Sequence, residues 1–391
     1  MLSLSDAARH QGGPVKATIS REEFSRALGA VEHAVPGKSN LPILSHVLIE
    51  AADGQLKLRT TDLAVMIADK APATVTEPGT ITLPAQTFSG WLKLLDSSAL
   101  VEITCNGNQA QVISGRSKSK YSTGNPEEFP PMPVIEDDAM VVEMDTKALG
   151  LALGEVLVAA ASKLTRPECT ALYVHATGSG LELATTDGFR LATTKLTDVA
   201  IEGDSEWEAL IPADAMQEVQ KLLKEATGRV RIAIGRAWAM VDIGPGGTVL
   251  YTRLIDSKFP PYMRVIEKAD ADVTSVVEVD RALLQKATRV SMLFGEGEVK
   301  PVKLETNETG WLDLKGLGGE HQSHESVPAD FYKGDEMVAR LNGVYLKDAL
   351  DAMPDSRVVL SSGGPATPLV IRPAESTATT HLIMVLVGNG E

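Results

Sequence analysis

One strand and turn is written twice in this chain. "LKLRTTDLAVMI" at 56–67 and "LELATTDGFRLA" at 181–192 share Leu-x-Leu-x-Thr-Thr-Asp, with Asp62 and Asp187 125 residues apart. Apolar and polar residues alternate, break at the aspartate and resume extended, which predicts strand, tight turn, strand. The repetition runs further. "ISREEFSRALGAVEHAV" (19–35) sets Phe24, Leu28, Val31 and Val35 on one helical face behind Ser20, an N-cap residue type. "MDTKALGLALGEVLVAAA" (144–161) does so with Leu149, Leu153 and Val156 behind Asp145, and "VDRALLQKATRVSML" (279–293) with Leu283, Ala287 and Val290 behind Asp280.

A second helix also recurs, at "LPAQTFSGWLKLL" (83–95), "IPADAMQEVQKLL" (211–223) and "LNGVYLKDALDAM" (341–353). A short apolar strand precedes each and alternating segments follow. "EEFPPMP" (127–133) and "SKFPPYMRV" (257–265) close two of the units, their Pro-Pro pairs marking extended connectors. Recurrence at roughly 130 residues predicts three copies of one α+β domain, too long a period for solenoid turns. The expected divisions are a flexible leader over 1–15 and domains at 16–138, 139–270 and 271–391. Copy three replaces Thr-Thr-Asp by "LDLKGLGG" (312–319), so the motif reads first as scaffold.

Composition narrows the classes. An apolar content of 43% over 391 residues supports two or three real cores. Cys105 and Cys169 have no metal-type spacing and make no disulfide framework, so a reducing cytoplasm is the simplest setting. The first residues lack the basic and apolar regions of a signal peptide. The most apolar helical segment, 148–162, is short and interrupted by Glu155, so no membrane span is expected. A net charge of −15 argues against a conventional DNA-binding domain, but leaves open a protein with its basic residues on one surface.

No catalytic constellation is found: no phosphate loop, no nucleophile elbow, no His-Glu-x-x-His. "GPGG" (244–247) lies between strand-like runs and reads as a hairpin turn. His321 and His324 sit in the polar stretch "GGEHQSHES", which reads as a solvated loop rather than a metal site. Asp62 and Asp187, each before a turn, are placed to accept backbone N–H bonds. No metal, cofactor or catalytic residue is expected.

Taken together, "SNLPILSHVLIEAADGQLKLRTTDLAV" (39–65), "TRPECTALYV" (165–174), "LELATTDGFRLA", "FPPYMRVI" (259–266) and "HLIM" (381–384) resemble the bacterial sliding clamps, the beta subunits of DNA polymerase III, over roughly 16–387. The resemblance implies a head-to-tail homodimer forming a six-domain ring, helices lining the pore and sheets outside. It implies a processivity factor that encircles duplex DNA without sequence preference, is no enzyme, and resides in the cytoplasm with the nucleoid. DNA contacts would come from Lys38 and Lys163 in loops and from Arg21, Arg26, Lys221 and Arg289 on the repeated helices. Polymerase, clamp loader and repair proteins would insert short linear motifs into a groove between domains two and three. Carried over here, that groove is lined by Arg166, Cys169, Thr186, Gly188, Phe189, Arg190, Leu191, Pro260, Arg264, Val265, Leu382 and Met384, with Asn342 and Tyr345 nearby. On sequence alone, Leu191, Val265 and Leu382 read as ordinary core residues before they read as a groove lining.

Some positions depart from the family. Phe189 stands where His is common, and Cys169 where a larger aliphatic is usual. The ending reads Met384-Val385-Leu386-Val387 without the usual Pro and Arg. For dimerisation the resemblance pairs domain three with domain one of the next chain. Arg116, Lys118 and Lys120 around Tyr121 would meet Leu293 and Phe294 beside Glu296 and Glu298, opposite charges flanking apolar anchors. A different reading, a platform that recruits repair factors without loading onto DNA, and an unrecognised hydrolase remain as alternatives.

Overall fold

The computed structural model describes residues 14–163, 166–202, 206–244, 247–306, 310–318 and 321–386. The expected leader lies outside them but for its last two residues, as does the ending from Val387 on.

Copy one runs β1 (Val15–Ser20), α1 (Arg21–Val31), β2 (His46–Ala52), β3 (Gln55–Thr61), β4 (Val65–Pro72), β5 (Thr74–Glu77), β6 (Gly79–Pro84), α2 (Ala85–Lys93), β7 (Leu100–Asn106), β8 (Gln109–Ser114) and β9 (Ser117–Ser122). Copy two repeats the order as β10 (Met140–Asp145), α3 (Thr146–Val156), β11 (Ala171–Thr177), β12 (Gly180–Thr186), β13 (Arg190–Leu196), β14 (Ala200–Glu202), β15 (Glu206–Pro212), α4 (Ala213–Leu223), β16 (Arg229–Ile234), β17 (Trp238–Ile243) and β18 (Thr248–Arg253). A helix, α5 (Tyr262–Ala271), then leads to copy three: β19 (Ser275–Asp280), α6 (Arg281–Phe294), β20 (Pro301–Thr306), β21 (Trp311–Leu317), β22 (Gln322–Gly334), β23 (Val338–Asn342), α7 (Gly343–Ala352), β24 (Arg357–Ser362), β25 (Leu369–Pro373) and β26 (Thr380–Ile383). One long strand, β22, stands where copies one and two each use two. All observed strand pairings are antiparallel in the registers described below.

The compact units do not follow the repeat. One holds the chain up to Thr146 together with Lys221–Arg253, the other Lys147–Gln220 with Leu254 onward. In the first unit, β1 and β7–β9 form a five-stranded sheet with β5, and a second sheet runs β10-β16-β17-β18-β4-β3-β2-β6. In the second, a twelve-stranded order runs β15-β11-β12-β13-β26-β25-β24-β19-β22-β21-β20-β23.

Local chemistry explains the recurring elements. Ser20 accepts from the Glu23 N–H at 3.3 Å, Asp280 from Leu283 at 2.8 Å and Asn342 from Val344 at 2.9 Å, each satisfying an N–H that the first helical turn leaves open. Phe24, Leu28 and Val31 bury the inner face of α1, and Phe24 meets Phe88 of α2 with ring centroids 5.0 Å apart. In copy three, Val279, Leu284, Leu314, Leu346 and Leu360 are among the residues of an apolar core between helices and sheet.

The Thr-Thr-Asp triplet is a complete hydrogen-bonding device. The first threonine, Thr60 or Thr185, donates to a carbonyl at the end of the preceding helix, Val31 or Val156. The second, Thr61 or Thr186, donates across the turn to Val65 at 2.7 Å or Arg190 at 2.6 Å. The aspartate accepts two backbone N–H bonds, Asp62 from Ala64 and Val65, Asp187 from Phe189 and Arg190, all within 3.0 Å. Gly188 takes a positive φ of 93° in this turn, where copy one holds Leu63 at 80°.

Copy three abandons the triplet because its helix comes closer. A Cβ on Gly316, at the position of Thr60, would lie 2.3 Å from the Ser291 carbonyl oxygen, and one on Gly318 2.1 Å from that of Phe294. Glycine is the residue that admits the longer α6 there. The same approach corrects the expected face of α6. Leu284, Ala287, Thr288 and Ser291 face inward, while Leu283 is exposed, since small side chains suit the close contact. In the GPGG turn the N–H of Gly247 donates to the Gly244 carbonyl at 3.2 Å, and Pro245 and Gly246 lie outside the described residues.

Candidate functional site

The second unit brings two hairpin strands of different copies together. β13 and β26 pair with Leu191 opposite Leu382 and Arg190 opposite Ile383. Leu191 and Leu382 are buried in one cluster with Ala184, Tyr262, Ile266, Ala269 and Val370, against which Tyr173 and Phe259 pack. Tyr173 and Phe259 stack with centroids 4.8 Å apart. Three of these residues come from α5, where an extended connector was expected. The Pro-Pro pair ends as the helix N-cap, and Tyr262, Ile266 and Ala269 recur at i, i+4 and i+7 as its buried stripe. That spacing was visible in the sequence.

Above the cluster several large apolar side chains stay exposed: Phe189 at 66%, Val265 at 45% and Met384 at 41%. The N–H of Met384 donates to the Phe189 carbonyl at 2.9 Å, tying the end of the chain to the turn. Val385 is buried in the copy-three core, and Leu386 donates its N–H to Arg340 at 2.7 Å. The proline-free ending is therefore held by one core side chain and two backbone bonds.

Arg190 organises the polar edge. Its Nε donates to Asp187 at 3.0 Å and its Nη1 to Asp348 at 2.8 Å, while its guanidinium lies 4.3 Å from the centre of the Tyr345 ring. These are charge-assisted bonds plus a cation–π contact, and they fix the ring of Tyr345. Burial and the nearby Asp187 carboxylate push the Tyr345 hydroxyl pKa up, so it stays a donor. Asn342 does not present its side chain as a free group: its amide oxygen caps α7. Cys169 is buried, with its thiol pKa raised chiefly by burial, and its carbonyl accepts from Ala161 at 2.9 Å. Thr186 is buried, Pro260 half-buried, and Arg166 and Arg264 exposed. The Arg166 Nη1 lies 3.8 Å from where a Gly188 Cβ would stand. Asp348 and Val370 were not anticipated, since nothing local marks them as neighbours of Arg190 and Leu191 well over a hundred positions away.

The basic candidates separate into two kinds. Arg21 donates to the carbonyls of Leu92 and Lys93 at 3.2 Å, closing the C-terminus of α2, and its counterpart Arg281 does the same at Leu350 and Asp355. Arg26 grips Asp69 at 3.1 Å, Glu23 at 3.2 Å and the Lys70 carbonyl at 2.7 Å. These two arginines serve the fold. Arg289 pairs with Asp351 at 2.9 Å on the surface, and Lys221 lies in the last turn of α4. Lys38 and Lys163 are exposed at equivalent places, each in the loop that follows the first helix of its copy.

Of the residues expected at a dimer contact, Arg116, Lys118 and Lys120 are exposed on or beside β9, and Leu293 is 80% exposed with Phe294 half-buried. Glu296 and Glu298 are exposed just beyond α6. Tyr121 turns inward instead, its ring edge-on to Phe88 at 5.8 Å, because its position in β9 faces the copy-one core.

Three family models, described as the N-terminal, central and C-terminal domains of the DNA polymerase III beta subunit, match residues 15–133, 143–261 and 269–387. The chain belongs to the beta sliding clamp family. The beta sliding clamp of Caulobacter vibrioides is 29% identical over 386 residues, covering 95% of this chain and all of that one. That of Bacillus subtilis is 25% identical over 380 residues. Among solved structures, the clamp of C. crescentus superposes with a TM-score of 0.88 at 27% identity, covering 96% of this chain and all of that one. A clamp from Pseudomonas aeruginosa bound to griselimycin gives 0.89 at 25%, with the same coverage. Sliding clamps are non-catalytic processivity factors for DNA polymerase, and the three repeated α+β domains of this chain are clamp domains. No helix among the described residues is long and apolar enough to cross a membrane.

Proposed function

We propose that this chain acts as the processivity clamp of a replicative polymerase, a head-to-tail dimer of six domains closed around duplex DNA in the cytoplasm, and that the cluster around Leu191 and Leu382 is its partner groove. The observation that carries the groove is the pairing of a buried apolar floor with exposed Phe189, Val265 and Met384 beside an immobilised Arg190–Tyr345 edge. Extended peptides with apolar anchors are held by such surfaces. Tyr345 and the backbone of the Phe189 turn supply orientation, and the buried floor supplies area.

Encirclement needs little affinity. A ring retained by topology is compatible with a net charge of −15, provided the few cations that face DNA are mobile and unpaired. Lys38 and Lys163 fit that role better than Arg21 and Arg26, whose donors are already engaged. The contact is sequence-independent and salt-sensitive, because each lysine–phosphate contact releases counterions.

Loading the protein on circular and on linearised DNA, then filtering by size, tests the first half. Retention on the circle and loss from the linear form is the expected result; equal loss from both would reject encirclement. Fluorescence polarisation of a polymerase-derived motif peptide tests the second half. Binding that survives replacement of Leu382 by Lys in a folded protein would place the partner site elsewhere.

A further inference from the structure

The first unit contains an internal seam between copies that is laid out like the seam of Leu191 and Leu382 but furnished differently. β4 pairs with β18 as β13 pairs with β26, and Met66 opposite Tyr251 stands where Leu191 stands opposite Leu382. The end of the seam repeats as well: the N–H of Arg253 donates to the Ala64 carbonyl at 3.0 Å, as that of Met384 does to Phe189. In the next row of the same face, Arg59 lies between Leu48 and Ala68, at the place that Ala184 holds in the second unit. A small apolar floor residue is thus exchanged for a guanidinium.

Where α5 covers the second seam, an extended connector crosses the first. It leaves β6 where the Gly124 N–H donates to Thr82 Oγ1 at 2.8 Å, and reaches the β16–β17 turn where Glu136 accepts from the Arg236 N–H at 3.2 Å. Phe129 is buried on the way, but Met132 and Val134 stay exposed, as do Leu63 in the Asp62 turn and Leu41 ahead of β2. Large apolar side chains gathered at one end of a sheet face are the makings of a contact surface.

Two cations here lack acid partners. Arg59 is half-buried, and its guanidinium makes no hydrogen bond or ion pair among the described residues. Burial pushes its pKa down, with the Glu50 charge acting the other way, and an arginine so placed keeps its proton. Arg253 is exposed, its guanidinium 5.4 Å from the centre of the Trp238 ring and in no ion pair among the described residues. The acids nearby are engaged: Glu50 takes Lys57 at 3.6 Å, Asp62 accepts the N–H groups of its own turn, and Asp138 takes Arg236 at 3.0 Å. In a chain of net charge −15, two unpaired arginines within one apolar patch make a surface complementary to carboxylates. A guanidinium already stripped of part of its water gains more from a carboxylate than a fully solvated one does.

We infer that this face is a second docking site, for an acidic linear peptide of a partner protein, with an aromatic or aliphatic anchor among Leu63, Met132 and Val134 and carboxylates on Arg59 and Arg253. Its chemistry differs from that of the Leu191–Leu382 cluster, whose edge arginine is already held by Asp187 and Asp348. The two surfaces therefore select different sequences, and neither site depends on the other.

The probes are capped, fluorescein-labelled pentapeptides with Asp or Glu on both sides of a central Phe, Leu or Trp, and the same peptides with Asn and Gln in place of the acids. Fluorescence polarisation with the full chain should show the acidic members bound, and their amide twins weaker by about tenfold or more. Arg59→Met should weaken the acidic members by about tenfold or more and leave the twins unchanged, and because the charge it removes has no partner, the urea midpoint should not fall. Arg253→Gln, at an exposed position, repeats the test without touching the floor and should weaken the same peptides. An excess of a polymerase-derived motif peptide should displace none of them. Acidic peptides that bind no better than their twins, that both variants hold as tightly as wild type, or that the motif peptide displaces, overturn the site. So does a short DNA duplex that binds more tightly than every peptide and is lost with Arg59→Met, since the surface would then belong to phosphate.

Discussion

Acid should loosen the second unit through one histidine. His381 sits in the middle of β26, opposite Ala192 of β13 and Ile371 of β25. It is fully buried, and its Nε2 finds no partner. Burial lowers its pKa from 6.5 to about 4, outweighing a bond to the Glu155 backbone, and the Arg190 charge lowers it further. The folded state thus holds the neutral ring, and the unfolded state binds the proton first. Stability is unaffected above about pH 6.5, falls with pH below it, and stops falling once the folded pKa near 4 is passed. Between pH 7 and pH 5 the difference in proton binding is worth about 2 kcal/mol, and the full loss below pH 4 is about 3 kcal/mol. The equivalent residue of the other internal seam is Leu250, fully buried opposite Ile67, so leucine is the substitution to make. Urea denaturation of wild type and His381→Leu, followed by circular dichroism at pH 7 and pH 5 and fixed protein concentration, separates this residue from the other titrating groups. The wild type should lose about 2 kcal/mol more than the variant over that interval. Equal losses in the two proteins would refute the assignment.

Three further outcomes are expected. Leu63→Gly, which removes a bulky side chain from φ 80°, should stabilise the first unit by up to about 1 kcal/mol, read as a raised urea midpoint. Asp69→Ala should cost about 2 kcal/mol in the first unit, since it strands Thr248 and the partly exposed Arg26, yet leave peptide affinity unchanged. Leu191→Ala with Met384→Ala should weaken a polymerase-derived peptide by about 2 kcal/mol or more, close to thirtyfold, while the dimer and retention on circular DNA persist. An unchanged dissociation constant in the folded double variant would move recruitment away from the groove.

Periodicity made the repeat legible because each copy reuses the same caps, apolar faces and turn chemistry at nearly constant spacing. Ser20 and Asp280 cap helices where their residue types predict it. Distance along the chain hid the rest. The roles of Asp348 and Val370 depend on a strand pairing between copies that no local pattern encodes. The expected α6 face lies one position off because Leu283, Ala287 and Val290 make a more apolar stripe than the buried Leu284, Ala287, Thr288 and Ser291. That stripe makes sense only beside Gly316. Charge proved the weakest guide: an arginine on a helix face looks the same whether it meets solvent or, like Arg26, a buried carboxylate.

The division of copy two has a practical meaning for anyone who cuts this chain. Its β10 and β16–β18 belong to one compact unit and its β11–β15 to the other. A fragment bounded by the sequence repeat, such as residues 139–270, would expose two long sheet edges, lacking both β4 and β26, and should aggregate rather than fold. Repetition and compactness therefore use different punctuation here: the repeated module is a third of the chain, but each compact unit is about half of it.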